Sequence, residues 1–416
     1  MKFVIIAIGS RGDVQPFLAL GKGLKEKGHH IRICAMDVFQ KNIEQEGFEY
    51  AYMAGDARKI MLRLIGNRVT PLEYFGSLPD LLNPVKTEFL KNIEEACQGM
   101  DAVLYSTLGS VAYHVGEKLG LPCFRCFFAP QDPTVEFPAM TAPTLLYGGW
   151  YNKLTYKCGD ILWSHATRRL LNSWRTQMGL RKIKPFEFPY RKMNGKPIPT
   201  LYAYSHILAP KPKDYGEHQY VTGFWIKEMN QDWTPDEKLQ QFLDRGTKPI
   251  YIGFGSTVGG NFNRTLKIIF ESLKKTGQRA VLSAGWRNLD GIDLPTNVME
   301  IGNVPHEWLF PQMLAVSHHG GAGTTAAGVR AGVPGIIVPF GGDQLYWGDR
   351  VYQMGIGTKP IWCNELSVEN YTKAIQDVVD NQQMKDRASI VGAMLRSENG
   401  TANAIAVIEN ELNINN

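Results

Sequence analysis

The residues best placed to do chemistry lie in the run Ser317 to Thr325, "SHHGGAGTT". It follows the apolar "LAV", a predicted strand, and leads into "TTAAGVRAG", a predicted helix whose end is marked by Gly332 and Pro334. A strand, a glycine-rich turn and a helix N-terminus together make an anion site. The first backbone N–H groups are free, the helix dipole adds partial positive charge, and glycine lets a phosphate approach closely. His319 and the Thr324 hydroxyl can donate further hydrogen bonds. A plain tight turn at Gly320, Gly321 and Gly323 with Thr324 as helix cap accounts for the glycines, but not for the histidines. His318 and His319 do not suit a metal, because adjacent side chains rarely converge on one ion. The nucleotide-binding pattern GxGxxG with its following helix and distant acid is absent, and so is the GKS or GKT of a P-loop.

Other groups flank this run. In "VPFGGDQLYWGDR", Asp343 and Gln344 end an apolar strand on a glycine turn, where a carboxylate beside a carboxamide can grip vicinal sugar hydroxyls or simply cap the turn. Trp286 in "SAGWRN" and Trp308 in "NVPHEWLFP" can each stack on a base, although "WLF" also reads as a core face. Near the start, "GSRGDVQPF" puts Ser10, Arg11, Gly12 and Asp13 at the first strand-to-helix junction. Asp13 there can cap the helix. It can also serve as a general base if an apolar cleft raises its pKa toward working pH.

The elements that must position these residues are legible. "KFVIIAI", "HIRICAM", "DAVLYST" and "PCFRCFF" are short apolar runs separated by amphipathic stretches, the pattern of parallel strands covered on both faces. The same grammar restarts at "PIYIGFGST", "RAVLSAGW", "NVMEIGNV", "LAVSHHGG" and "PGIIVPFGG". The fold class is therefore α/β, with two Rossmann-like doubly wound domains. The proline-rich, aperiodic stretch near 210–235 divides them, giving domains at 1–215 and 216–416, with the last helix expected to pack back on the first domain. Two such sheets facing one another bind ligands in the cleft at their strand C-termini. Between Phe124 and Trp163 prolines and aromatics interrupt the pattern. Phe127, Phe128, Phe137, Tyr147, Trp150 and Tyr151 there read as a pocket for a bulky apolar ligand or as a core of irregular loops and helices.

The 416 residues carry 45 basic and 40 acidic side chains, a net charge of +5 that does not call for nucleic acid. The basic residues bunch once, in "RKIKPFEFPYRKMNGKP" from Arg181 to Pro197, which reads as a solvated loop or as a weak peripheral contact with an anionic membrane. Cysteines at 34, 97, 123, 126, 158 and 363 lack the spacing of a disulfide framework. Cys123 and Cys126, a lone CxxC in a predicted buried strand, read as core residues rather than a zinc site. The opening apolar run ends at Ile8, too short for a signal peptide, and no stretch approaches the length of a membrane span, so a soluble cytoplasmic protein is expected.

Taken together, "GSRGDVQPFLALGKGLKEKGHHI" and "VPHEWLFPQMLAVSHHGGAGTTAAGVRAGVPGIIVPFGGDQLYWGDRV" resemble the opening and the donor signature of UDP-glycosyltransferases with the GT-B fold. The nearer likeness is to the branch with sterol 3-beta-glucosyltransferases, rhamnolipid-type and vancomycin-pathway enzymes. The resemblance implies an N-terminal acceptor domain and a C-terminal nucleotide-sugar domain. It implies that His319 with Gly320, Gly321, Ala322, Gly323, Thr324 and Thr325 holds the diphosphate. Ser256 would lie on the donor loop, Val304 would read the nucleobase through its backbone, and Asp343 with Gln344 would hold the sugar. Asp13 matches the base of this branch, where plant relatives place a histidine. Two positions depart from the plant pattern. Ala327 replaces an acidic ribose contact, and Asn303 replaces a tryptophan that stacks on uracil, so these contacts do not secure UDP over TDP.

The expected activity is inverting, metal-independent transfer of a hexose, glucose from UDP-glucose, to a hydroxyl of a hydrophobic sterol, polyketide, phenolic or lipid acceptor, with no permanently bound cofactor. A nucleotide-sugar epimerase on the same fold and a non-catalytic nucleotide-sugar binding protein are the alternatives.

Overall fold

The computed structural model describes residues 1–57, 59, 73, 76, 85–140, 142, 148–229, 233–255, 262–285, 289 and 292–414. Ser256, Trp286 and Tyr147, all singled out above, lie outside these residues.

Two parallel sheets organise the chain. The first takes β1 (Lys2–Ile6), β2 (His30–Ala35), β3 (Glu49–Tyr52), β4 (Ala102–Tyr105), β5 (Cys123–Phe127), β6 (Thr200–Tyr202) and β7 (Gln219–Val221) in the order β3-β2-β1-β4-β5-β6-β7. All neighbouring pairs are parallel. The second takes β8 (Ile250–Gly253), β9 (Ala280–Ser283), β10 (Val298–Ile301), β11 (Ala315–His318) and β12 (Gly335–Ile337) in the order β10-β9-β8-β11-β12, again parallel. The apolar runs follow from this burial: Phe3, Val4, Ile5 and Ile6 are all fully enclosed. Because β7 pairs with β6, the change of sheet falls after Val221, not at 215/216. The triplet "QYV" is too short to register as a strand against its polar surroundings.

Each sheet reverses its winding at one place, between β1 and β4 in the first and between β8 and β11 in the second. Such switch points splay the adjoining loops and open a crevice at the strand C-termini. Helix α1 (Arg11–Glu26) leaves β1 at the first of them, and the glycine turn after β11 lies at the second. Both stretches singled out in the sequence thus lie at switch points.

The last helix of the chain, Gly400–Glu411, places Ala404, Ile405 and Ile408 in the same apolar core as β1 and α1. The aromatic segment after β5 runs into a long helix, Gly149–Gln177, so much of it is regular structure. Cys123 and Cys126 are buried thiols of β5, and burial pushes both well above an ordinary thiol pKa. In the basic stretch, Arg181 pairs with Glu187 and Arg191 with Asp160, while Lys182, Lys184, Lys192 and Lys196 face solvent. No helix among the described residues is long and apolar enough to cross a membrane.

Candidate active site

Helix α1 begins with a reciprocal cap. Ser10, in extended backbone, is the N-cap: its hydroxyl accepts from Gly12 N at 3.2 Å, while Asp13 Oδ2 accepts from Ser10 N at 2.7 Å and from Ser10 Oγ at 2.9 Å. Asp13 is therefore not the N-cap; it stands three residues on, with its carboxylate folded back against Gly9. Gly9 has φ 138°, and a Cβ there would lie 2.3 Å from Asp13 Oδ2, so only glycine leaves space for this carboxylate. Loss of hydration in the crevice raises the pKa of Asp13, opposed by the hydrogen bonds from Ser10.

Across the crevice, β11 delivers His318 and His319 to the glycine turn. His318 is buried, held neutral by burial, and accepts from Gly320 N at 3.0 Å. Gly320 has φ 90°, and a Cβ would meet Gln344 O at 2.6 Å and Ile337 Cγ2 at 2.8 Å. The following helix, α2 (Ala322–Ala331), starts at Gly321 with no side chain capping it. The N–H groups of Ala322, Gly323 and Thr324 precede the first intrahelical donor, Thr325 N to Gly321 O. They form an open anion cradle. His319 Nδ1 is buried and has no hydrogen-bond partner among the described residues. Burial lowers the pKa of His319 to about 4, against the pull of the Gly253 carbonyl. At neutral pH it offers a hydrogen bond rather than a charge.

Gly320→Ala forces a side chain into left-handed backbone and against the Gln344 carbonyl, which must move the turn. Nucleotide-sugar affinity is expected to fall by about tenfold or more. Calorimetric titration with UDP-glucose measures it, and unchanged affinity would show that this turn is not a phosphate cradle.

Asp343 and Gln344 sit at the start of helix α3 (Gln344–Gln353). Asp343 Oδ2 accepts from Trp347 Nε1 at 3.1 Å. Its pKa is pushed up to about 6, first by burial and then by the charge of Asp13. The two carboxylates, 330 positions apart in the sequence, thus feel one another's charge. A second link is direct: Arg11 donates to Asn303 Oδ1 at 2.8 Å. Position 303 thus holds a carboxamide tied to the other domain.

Other expected site residues are placed differently. The Thr325 hydroxyl is buried and donates to Gly321 O at 3.0 Å, so it is already used by its own helix. Gln344 is buried, and its Oε1 accepts from Phe340 N and Gly341 N, leaving only its amide NH2 toward the crevice. Val304 N donates to Gly302 O at 3.1 Å, so its carbonyl is the backbone group left for a base. Trp308 packs against Trp233 with centroids 5.0 Å apart and joins an apolar cluster behind the sheet. In the aromatic segment, Phe127 is a core residue beneath the Arg125 guanidinium, and Trp150 is 71% exposed. Phe128 packs edge-on to Phe17, and Phe137 meets Tyr346 of α3 across the domains at 5.5 Å. Phe137 thus joins the two lobes, and Phe127 lies in an apolar cluster drawn from both.

Sequence reasoning passed over His306 and Tyr251. They are 3.4 Å apart, and burial, with the charge of Arg11 adding to it, lowers the pKa of His306 to about 4. The "PH" of "NVPHEW" was visible, but nothing local in the sequence ties it to residue 11.

Residues 3–138 match the glycosyltransferase family 28 N-terminal domain, and residues 274–408 match the erythromycin biosynthesis protein CIII-like C-terminal domain. The chain is thus similar to family 28 glycosyltransferases in its N-terminal part and to erythromycin biosynthesis protein CIII in its C-terminal part. Sterol 3-beta-glucosyltransferase of Yarrowia lipolytica is 37% identical over 99% of this chain, and that of Aspergillus fumigatus 34% over 99%. The chain spans 29% and 30% of the length of those two relatives. Among solved structures, the kitacinnamycin glycosyltransferase aligns over 99% of both chains with a TM-score of 0.75 at 19% identity. The glycosyltransferase VinC in complex with dTDP aligns over 98% of this chain and 99% of its own, with a TM-score of 0.67 at 16% identity. The chain therefore shares the GT-B fold of these structures, two α/β domains across a crevice.

Proposed function

We propose that this chain transfers a hexose, glucose from UDP-glucose in the first instance, to a hydroxyl of a hydrophobic, sterol-like acceptor, with inversion at the anomeric carbon. The observation that carries this reading is the uncapped N-terminus of α2, with the start of α3 packed against its glycine turn at Gly320 and the start of α1, which bears buried Asp13, linked to the same domain through Arg11 and Asn303. Asp13 faces a developing proton, Asp343 a sugar, and the cradle faces a diphosphate.

In this mechanism the acceptor hydroxyl gives its proton to Asp13 as its oxygen bonds to the anomeric carbon. The bond from that carbon to the β-phosphate oxygen breaks, and the nucleoside diphosphate leaves. The N–H groups of Ala322, Gly323 and Thr324 and neutral His319 receive the charge appearing on the leaving group. Asp343 and the amide of Gln344 hold the sugar hydroxyls, and the Val304 carbonyl meets the base. The named activity of the fungal relatives supports the acceptor class, and the dTDP complex of VinC supports a nucleoside diphosphate in the crevice.

Calorimetry in the presence of a metal chelator tests the donor half. UDP-glucose or TDP-glucose should bind, and the tighter of the two identifies the base that Asn303 and Ala327 tolerate. A protein that binds neither would sink the reading.

A further inference from the structure

The first turn of α3 holds one side chain whose role reaches beyond its own helix. We infer that Trp347 positions the Asp343 carboxylate and makes its orientation depend on how the two domains pack, an inference that rests on the sugar-binding reading of Asp343 above. Four residues separate the two on a helix, which stacks them on one face. The indole N–H donates to Asp343 Oδ2 at 3.1 Å, and Trp347 is fully buried. A buried indole N–H without a partner is costly, so the ring and the carboxylate fix one another.

The ring itself is clamped mainly by the other lobe. Tyr204, just past β6, meets it edge-on at 5.7 Å, and Phe224, just past β7, lies at 6.2 Å. Tyr346 closes a third side at 5.1 Å and itself touches Phe137. One turn further, Arg350 Nε donates to Leu208 O at 2.8 Å. Helix α3 therefore carries a donor-side carboxylate at its start and docks on the acceptor domain through residues 346, 347 and 350. A shift of one domain against the other turns the indole, and the indole turns the carboxylate. With Oδ2 held by Trp347, Oδ1 is left for a sugar hydroxyl.

Trp347→Phe keeps an aromatic ring in the clamp and removes only the N–H. UDP-glucose should bind about tenfold more weakly, while UDP, which lacks the sugar, binds as to the parent chain. Loss of the indole hydrogen bond also raises the pKa of Asp343 further, so the acid limb of kcat/KM moves to higher pH. Phe224→Leu, which loosens the clamp without touching the hydrogen bond, should raise the UDP-glucose KM in the same direction and leave UDP affinity unchanged. It keeps the test open if the tryptophan variant misfolds. Equal changes in UDP and UDP-glucose affinity, or no change in either, would overturn the inference. A parent protein that binds neither ligand would instead count against the sugar-binding reading itself.

Discussion

Asp13→Asn is expected to lower kcat by about 10²- to 10⁴-fold, the usual contribution of a positioned general base, while UDP-glucose affinity stays within a few-fold. Asparagine keeps an oxygen to accept from Ser10 N, so the helix cap survives in large part and the loss is chemical rather than structural. The pH profile carries the same signature. A base works when deprotonated, so activity is present above its pKa and is lost as pH falls through it. Burial raises Asp13 above the ordinary carboxylate value of 3.8, which moves the acid limb upward, and Asp343, near 6, adds to the same limb. Removing the charge of Asp13 should lower the pKa of Asp343, because that charge is one of the causes holding it up. A variant that turns over at the parent rate would reduce Asp13 to a capping residue.

The second large effect concerns stability. Asp132 is 2% exposed and accepts from Arg125 at 2.6 and 3.1 Å, Tyr202 at 2.8 Å, Gln219 at 2.8 Å and Arg191 at 3.3 Å. It ties the segment carrying Phe137 to β5, β6 and β7, and Arg191 extends the tie to Asp160 in the long helix. Asp132→Ala leaves the buried Arg125 guanidinium without its counter-charge, at a cost of about 3–5 kcal/mol. The first thermal transition should fall by on the order of 10 °C. The pH dependence follows from the depressed pKa of Asp132, about 2. Its stabilisation is complete above the unfolded value near 3.8 and is lost as pH falls toward 2. An unchanged melting profile for the alanine variant would show that this network contributes nothing net.

How much of this was legible differs between the two lobes. The order of elements around the glycine turn could be read because it is local. A strand, a glycine turn and a helix start follow one another from Ala315 to Ala331, and their spacing alone implies an anion cradle. The structure changed details that depend on side-chain direction: which helix face takes the Thr325 hydroxyl, and which oxygen of Gln344 the backbone of residues 340–341 claims. The acceptor side was poorly legible because its residues meet only in three dimensions. Phe127 and Trp150 look alike as aromatic positions in sequence, yet one is a core residue and the other is exposed. Likewise, Trp347 lies four residues from Asp343, but nothing in "DQLYW" shows that Tyr204 and Phe224 close around it. The link between Arg11 and Asn303 spans both domains and has no sequence signature.

Sugar transfer to a hydrophobic acceptor can be read by mass spectrometry. The purified protein is incubated with UDP-glucose or TDP-glucose and a panel of sterols, flavonoids and macrolides, alongside Asp13→Asn. A hexose-sized mass gain on a sterol-like acceptor that disappears in the variant is expected. A nucleotide sugar that binds and is altered with no acceptor gaining mass, or product formed equally by the variant, would contradict it.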